Sequence, residues 1–273
     1  MTSASSNPHL GHGLSPGDSH YRAYIGPPDK YDLVSAMQFN LLTALGLREG
    51  HFLLDIGCGS LRAGRLFVPY LLEGRYYGIE PEKWLLEEGI ARELGEGILG
   101  LKRPTFRHAD DFSLSAFGRK FDFIVAQSIF SHAAVGQIRR CLAEARQVMT
   151  PSSIFAATFA EGAGNYNGDD WVYPDCIHYT FAFFSSLAEE AGLRCQRLDW
   201  HHPNGQTWVA ITLPTAPHLP DLADPNRCGE LRRELDACRE ELKKTAAHPY
   251  VRIGLQVRNL LRNMGLLPRR DKS

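Results

Sequence analysis

Four carboxylates follow short apolar runs in the first half of the sequence. Asp55 lies two residues before a glycine-rich turn, Glu80 ends the next run, and Asp110 and Asp111 follow a third. A carboxylate accepts hydrogen bonds from ribose hydroxyls or from an amino group, and it favours a ligand that carries positive charge. This pattern therefore indicates a binding site for a cationic nucleoside.

The glycine-rich turn itself argues against two common nucleotide sites. Gly57 and Gly59 allow a tight turn and the close approach of a ligand. A phosphate-binding P-loop needs a lysine where this chain has Arg65, and a dinucleotide fingerprint needs a third small residue where it has Arg62. S-adenosylmethionine fits the acidic turn better, because it carries a sulfonium and an ammonium but no phosphate.

Strand-like and helix-like segments alternate from about residue 25 to residue 216 and would position these groups. Short apolar runs bounded by glycines are typical of buried parallel strands. Only six residues separate the strand-like segments 194–200 and 207–213, so these two are expected to be antiparallel. The pattern predicts an α/β fold with a doubly wound seven-stranded sheet, mostly parallel with a C-terminal antiparallel hairpin. Ligands of such sheets bind at the carboxyl ends of the strands.

The sequence resembles the class I S-adenosylmethionine-dependent methyltransferases over about residues 30–213. Residues 53–59, LLDIGCG, look like the first motif of that superfamily, and residues 77–81, YGIEP, look like the second. Residues 108–111, HADD, lie where the adenine-contacting acid is found, and residues 121–132 look like the motif of the fourth strand. The resemblance implies a Rossmann-like fold and methyl transfer from S-adenosylmethionine (EC 2.1.1.-).

The resemblance also implies a set of cofactor-binding residues. These are Asp55, Gly57, Cys58, Gly59, Glu80, Pro81, Asp110, Asp111 and Gln127. The sequence departs from the family at one position, because Leu61 stands where a third glycine is frequent.

Methyl transfer to a hydroxyl requires a base, and two histidines are candidates. His132 follows the fourth predicted strand, and His178 lies in the long loop after the fifth. An unperturbed imidazole titrates near neutral pH, which suits proton abstraction. Each could instead be a packing or capping residue, whereas for His201 and His202, in a predicted hairpin turn, a structural role is favoured. No spacing of His, Cys or Asp is diagnostic of a metal site, so none is expected.

The loop from about residue 161 to residue 179 is the candidate acceptor region. It is too long for an ordinary connection in an α/β protein, and long loops at strand ends usually carry function. Tyr166, Trp171 and Tyr173 could stack on a sugar or another ring. The alternative is a solvated loop anchored by its tryptophan.

Composition excludes several other classes of protein. With 273 residues, 44% hydrophobic content and a net charge of -1, the chain is typical of a globular protein and not of a globally basic nucleic-acid binder. An RNA methyltransferase is further disfavoured, since no Asn/Asp-Pro-Pro-Tyr motif follows the fourth strand. The first residues do not resemble a signal peptide, and no apolar run is long enough to span a membrane, so a cytoplasmic location is expected.

Three parts of the chain are predicted. Residues 1–24 are expected to form a flexible tail, residues 25–216 the methyltransferase domain, and residues 217–273 a helical extension. The extension has a short heptad-like seam and an apolar stretch with interspersed arginines, from about 228 to 270. This stretch could form a peripheral membrane or homodimer contact, or it could pack on its own domain.

These observations favour a methyltransferase that acts on a small molecule or a glycan, at a hydroxyl, with an amine acceptor left open. The alternative is a non-catalytic S-adenosylmethionine-binding or scaffold protein that acts through its C-terminal helices. No nucleic-acid partner is expected.

Overall fold

The structure is a computed structural model that describes residues 10–220 together with Leu222, Ala237 and Glu240. Contacts divide the chain into two units, Met1–Asp224 and Pro225–Ser273. The α/β fold belongs to the first unit. The heptad-like seam and the contact surface expected at residues 228–270 lie outside the described residues, apart from Ala237 and Glu240. Among the described residues, no helix is long and apolar enough to cross a membrane.

Among the described residues, eight strands and six α-helices form this fold. The strands are β1 (Leu53–Ile56), β2 (Tyr76–Ile79), β3 (Thr105–Arg107), β4 (Phe121–Ala126), β5 (Met149–Glu161), β6 (His178–Tyr179), β7 (Arg194–Arg197) and β8 (Thr207–Thr212). The α-helices are α1 (Tyr31–Ala44), α2 (Gly64–Tyr70), α3 (Lys83–Gly89), α4 (Glu96–Lys102), α5 (Val135–Val148) and α6 (Phe181–Glu190). A π-helical turn, Ile90–Leu94, follows α3 directly.

The main path of the sheet has the strand order β3-β2-β1-β4-β5-β8-β7. Strands β1 to β5 are mutually parallel along this path, whereas β8 is antiparallel to both β5 and β7. The doubly wound sheet and its closing hairpin are thus confirmed. The eighth strand, β6, is two residues long and pairs beside β5; so short a strand leaves no periodic signal in a sequence.

The central strands are buried on both faces, which explains their continuous apolar runs. Because side chains alternate across a strand, Leu54 and Ile124 face the core that contains α5 and α6. Leu53 and Val125 face the opposite core, which contains α1 and α2. With both faces covered by helices, a ligand can reach the sheet at the ends of its strands.

The expectation of a flexible tail is wrong for the described residues before 25. Tyr21, Arg22 and Ala23 are buried. The Arg22 guanidinium forms a salt bridge with Glu93 at 2.7 Å, and a longer one of 3.4 Å with Asp32. The composition of this stretch shows no period, so the sequence does not indicate that these three residues are buried. Residues 1–9 lie outside the described residues.

Candidate active site

A cavity of about 190 Å³ opens at the carboxyl ends of β1, β2 and β4. The turn after β1 and the residues that follow β2 form one side of it. The loop after β4 and the long loop after β5 contribute His132, Trp171 and Tyr173. Tyr24 and Ile25, from a segment expected to be a tail or its border, also line the cavity. The cavity lies where the fold predicts a ligand.

The turn after β1 depends on glycine at two positions. Gly57 and Gly59 have φ angles of 69° and 55°, in the left-handed region that residues with a Cβ rarely adopt. A Cβ on Gly57 would also lie 2.1 Å from the Cδ1 atom of Ile129. Leu61 has a φ of 59°. The position where the family often has a third glycine therefore keeps a left-handed backbone here and carries a buried leucine.

Two carboxylates face the cavity from the ends of β1 and β2. Asp55 accepts a hydrogen bond of 2.7 Å from the Tyr76 hydroxyl. Glu80 accepts one from the Gly59 amide at 2.9 Å and one from the Glu82 amide at 3.0 Å. Burial raises the pKa of Asp55 to about 6 and that of Glu80 to about 7, and the hydrogen bonds oppose the rise in both. The cavity therefore holds two acids that a cationic ligand would favour in their charged form.

A guanidinium that the sequence analysis did not assign to the site lies beside these acids. Arg62 is buried, and its Nη1 atom donates to the Ile25 carbonyl at 2.8 Å while Nη2 donates to Oε1 of Gln127. Burial lowers the pKa of Arg62 to about 10, so the group is still positively charged at neutral pH. The position of Arg62 after the glycine-rich turn could have indicated a place in the site. The sequence analysis used Arg62 only to exclude a dinucleotide site.

Gln127, an expected cofactor residue, connects this guanidinium to the closing hairpin. Its Nε2 atom donates to Nε2 of His202 at 3.0 Å. Burial, together with the nearby charge of Arg62, lowers the pKa of His202 to about 3. His202 is therefore neutral at physiological pH. It packs behind the cavity and does not line it.

His132 is held with one ring nitrogen facing two carbonyl groups. Its Nδ1 atom lies 2.9 Å from the carbonyl oxygens of both Val172 and Asp175. A carbonyl oxygen can only accept, so Nδ1 carries the proton and Nε2 is the unprotonated nitrogen of the neutral ring. Burial lowers the pKa of His132, which keeps the ring neutral at physiological pH. The ring packs against Trp171 and Tyr173, with centroids 5.6 and 5.1 Å away.

The structure brings most of the expected site residues together at the cavity. The lining includes Asp55, Gly57, Cys58, Gly59, Glu80, Pro81, Gln127, His132, Trp171 and Tyr173. Sequence reasoning missed Tyr24, Ile25 and Gln38 in addition to Arg62. Gln38 is a polar residue on the buried face of α1. That unusual position was the signal from which sequence reasoning could have found it.

Four expected residues lie away from the cavity. Asp110 and Asp111 are exposed, and Asp111 accepts a hydrogen bond from the Ser113 amide in a local turn. The edge strand β3 ends at Arg107, so the chain has already left the sheet before these acids. His178 is exposed on β6, and Tyr166 packs against the core with its hydroxyl 3.5 Å from the Asp170 carbonyl. The placement of His178 does not support a role as base.

The part of the chain that the structure describes contains no group of three or more His, Cys, Asp or Glu side chains that could hold a metal ion.

Comparison with known proteins agrees with this geometry. Residues 54–155 match the model of a family described as a methyltransferase domain, which spans from β1 into β5. No curated protein matches the sequence. A structure of an S-adenosylmethionine-dependent methyltransferase from Clostridium acetobutylicum superposes with a TM-score of 0.50 and 13% identity, covering 67% of this chain and 92% of that one. The glycopeptide N-methyltransferase MtfA, in complex with S-adenosylmethionine, gives 0.51 and 14%, covering 67% and 95%.

At these identities the structural likeness concerns the fold, and the family match adds the methyltransferase domain. Residues 54–155 are thus similar to a methyltransferase domain, and the order of the strands in the sheet agrees with that match.

Proposed function

We propose that the cavity binds S-adenosylmethionine and that the protein transfers its methyl group to a hydroxyl of a small molecule or a glycan. Glu80 is suited to accept hydrogen bonds from the ribose hydroxyls, because it follows the strand next to the glycine-rich turn and lines the cavity. Asp55 lies at the end of β1, where its charge favours the cationic end of the cofactor.

The arrangement of His132 is the observation that carries the hydroxyl assignment. Its Nδ1 proton is held by two carbonyl oxygens at 2.9 Å, so Nε2 is the nitrogen that can take a proton from an acceptor. Burial lowers its pKa, so this nitrogen is unprotonated at neutral pH. An amine acceptor in its neutral form needs no such base before attack, whereas a hydroxyl must lose its proton during transfer.

The reaction is an in-line displacement at the methyl carbon. Bound S-adenosylmethionine would supply the methyl group: the acceptor oxygen would bond to that carbon as the bond from carbon to the sulfonium breaks, and S-adenosylhomocysteine would leave as a neutral thioether. The proton of the hydroxyl goes to Nε2 of His132. Positioning the two reactants supplies much of the rate enhancement, on the order of 7–11 kcal/mol in favourable systems.

Aromatic side chains support an acceptor with a ring. Trp171 and Tyr173 pack around His132, so a hydroxyl at the base would place its carbon skeleton against these rings. Aromatic faces bind sugar rings and planar molecules alike. MtfA is named as a glycopeptide N-methyltransferase, so its name accords with a ring-containing acceptor but describes transfer to nitrogen and not to a hydroxyl.

Two measurements test the proposal. Calorimetry with S-adenosylmethionine and S-adenosylhomocysteine measures cofactor binding, and absence of binding to the wild type would overturn it. A methyl-transfer assay then compares hydroxyl acceptors, such as methyl glycosides and phenols, with the matched amines. Faster transfer to hydroxyls that depends on His132 supports the proposal. Cofactor binding without turnover of any acceptor would favour the non-catalytic alternative instead.

A further inference from the structure

Gln206, in the connection between the two strands of the closing hairpin, contacts the loop that leads from β4 to His132. Its Nε2 atom donates to Oγ of Ser128 at 2.7 Å and to Oγ of Ser131 at 3.4 Å. Its Oε1 atom accepts a hydrogen bond of 2.6 Å from the hydroxyl of Thr158 on β5. Gln206 itself does not line the cavity. One side chain thus connects the closing hairpin both to β5 and to the loop after β4.

The backbone at Ser128 has a conformation that depends on its surroundings. Its φ angle is 63°, in the left-handed region that residues with a Cβ rarely adopt. Residues persist in such regions where neighbouring groups hold them, and they cluster at functional sites. The Ser128 amide donates to Oγ1 of Thr158 at 2.7 Å, and the Ser128 hydroxyl accepts from Gln206. Thr158 and Gln206 therefore hold the start of the loop after β4.

His132 follows within one turn of this point. Its amide donates to the Ile129 carbonyl at 3.1 Å, so residues 129–132 form a tight turn. A Cβ on Gly57 would lie 2.1 Å from Cδ1 of Ile129, which places the Ile129 side chain against the glycine-rich turn. A shift of the loop after β4 would therefore move the His132 ring relative to the glycine-rich turn.

We propose that Gln206 is a positioning residue, which keeps His132 in place for proton transfer by holding the loop that precedes it. The inference rests on the proposed function, because it requires His132 to act as the base. A displacement of about 1 Å in a reacting group can lower a rate by a factor of about 10². The closing hairpin then has a task in catalysis in addition to completing the edge of the sheet.

The experiment compares two replacements of Gln206 with a control in the same connection. Gln206→Leu removes all three hydrogen bonds of the side chain at similar volume. Gln206→Glu can retain them, because the three hydroxyls around it can donate as well as accept. Asn204→Leu is the matched control, since Asn204 is exposed whereas Gln206 is half-buried. The acceptor is the methyl glycoside or phenol that the wild type methylates fastest, and kcat is expressed per S-adenosylhomocysteine site counted by calorimetry.

We expect Gln206→Leu to lower kcat by a factor of about 10 to 100, in line with a misplaced base. The KM of the acceptor and the affinity for S-adenosylhomocysteine should stay within about twofold of the wild type, because neither depends on proton transfer. Gln206→Glu should recover most of the loss in kcat, and Asn204→Leu should match the wild type. An unchanged kcat in Gln206→Leu would overturn the proposal.

A double-mutant cycle separates positioning of His132 from general support of the fold. In the His132→Gln background, Gln206→Leu should change the residual kcat by no more than about twofold, since the base that it positions is already absent. A similar loss of kcat in both backgrounds would show that Gln206 acts independently of His132 and would refute the inference. Full activity of His132→Gln alone would instead contradict the proposed function.

Hydrogen exchange gives a readout that needs no acceptor. Gln206→Leu should speed amide exchange in residues 128–132 by a factor of about 3 or more and leave residues 53–56 of β1 unchanged. Gln206→Glu should restore the slow exchange. Unchanged exchange in residues 128–132, or an equal increase in β1, would count against a local positioning role whether or not the protein transfers a methyl group.

Discussion

The two halves of the cavity are built in different ways. The half that we propose to bind the cofactor (the cofactor half) consists of Asp55, Gly57, Gly59 and Glu80, at the ends of two adjacent parallel strands. The half that we propose to bind the acceptor (the acceptor half) consists of His132, Trp171 and Tyr173, and it is made of loops. Backbone hydrogen bonds from Val172 to His132 and from Ile177 to Ser131 join these loops across about 40 residues of sequence.

This difference separates two tasks within one site. The sheet fixes the cofactor half through strand register, so its geometry is tied to the stability of the core. The acceptor loops can change in length and side chains without altering the register of β1 and β2. Substitutions in the two halves should therefore affect different measured quantities.

The largest expected effect comes from the base in the acceptor half. His132→Gln should lower kcat by about 10² to 10⁴, the usual range for loss of a general base. Cofactor affinity should stay within about twofold, as calorimetry with S-adenosylhomocysteine would measure. His178→Gln is the matched control, because His178 is exposed on β6 and should retain full activity. An equal loss of activity in both variants would remove the distinction between the two histidines.

The pH profile of the wild type sharpens this prediction. Burial lowers the pKa of His132 below 6.5, the usual value for histidine. The base is active when neutral, so kcat should fall only on the acidic side, at a pH below that of an unperturbed histidine. A profile that falls toward alkaline pH in the neutral range would contradict the assignment of His132.

The next effect concerns the stability of the cofactor half. Burial raises the pKa of Asp55 from 3.8 to about 6 in the folded protein. The native state therefore holds a proton that the unfolded state releases, and this contribution, on the order of 3 kcal/mol, is lost as the pH rises through about 6. Asp55→Asn cannot ionise, so its unfolding free energy should fall less between pH 4 and pH 7.5.

Urea unfolding of the ligand-free protein at these two pH values gives the measurement. Glu80 is present in both proteins, so its own titration largely cancels in the difference. The variant should also bind S-adenosylmethionine more weakly. An identical pH dependence for the wild type and Asp55→Asn would show that Asp55 ionises normally in the folded state.

A smaller effect is expected from packing behind the glycine-rich turn. A Cβ on Gly89 of α3 would lie 2.3 Å from the Ser60 carbonyl oxygen, a backbone atom that cannot move without shifting the turn. Gly89→Ala should cost about 1–3 kcal/mol of stability and weaken cofactor binding. Gly100→Ala in α4 is the matched control, since a Cβ there meets no heavy atom within 4 Å. The control should be neutral or slightly stabilising by thermal unfolding.

The smallest expected effect is in the acceptor half. Trp171 is 41% exposed, so its ring contributes part of one face of the acceptor site. Trp171→Ala should raise the KM for an acceptor by a factor of about 5 to 10, in line with loss of one aromatic contact of about 1 kcal/mol. The affinity for S-adenosylhomocysteine should not change. If Trp171→Ala weakened S-adenosylhomocysteine binding by a similar factor, substitutions in the two halves would not affect different measured quantities.

Sequence reasoning predicted the cofactor half more completely than the acceptor half, for a physical reason. Strand, turn and helix follow one another there, so the spacing of Asp55 and Glu80 already fixes which edge of the sheet they share. Asp110 and Asp111 follow β3, which has only three residues, and they do not line the cavity. A motif position alone does not show where a strand ends.

Contacts between distant segments could not be read from the sequence. Nothing local indicates that Tyr21 and Arg22 pack against Glu93, about 70 residues later. In the same way, Tyr166 and Tyr173 look equivalent in the loop after β5, although one packs against the core and the other lines the cavity. Tertiary contacts decide between such residues.

The placement of the four tryptophans allows ligand binding to be followed by the intrinsic fluorescence of the protein. Trp171 lines the cavity and Trp84 contacts Tyr24 beside it, and both are partly exposed, whereas Trp200 and Trp208 are buried in the core. A soluble quencher such as acrylamide should therefore reach the first pair and spare the second. A ligand that fills the cavity would protect part of the quenchable emission, so occupancy can be followed by fluorescence without labelling.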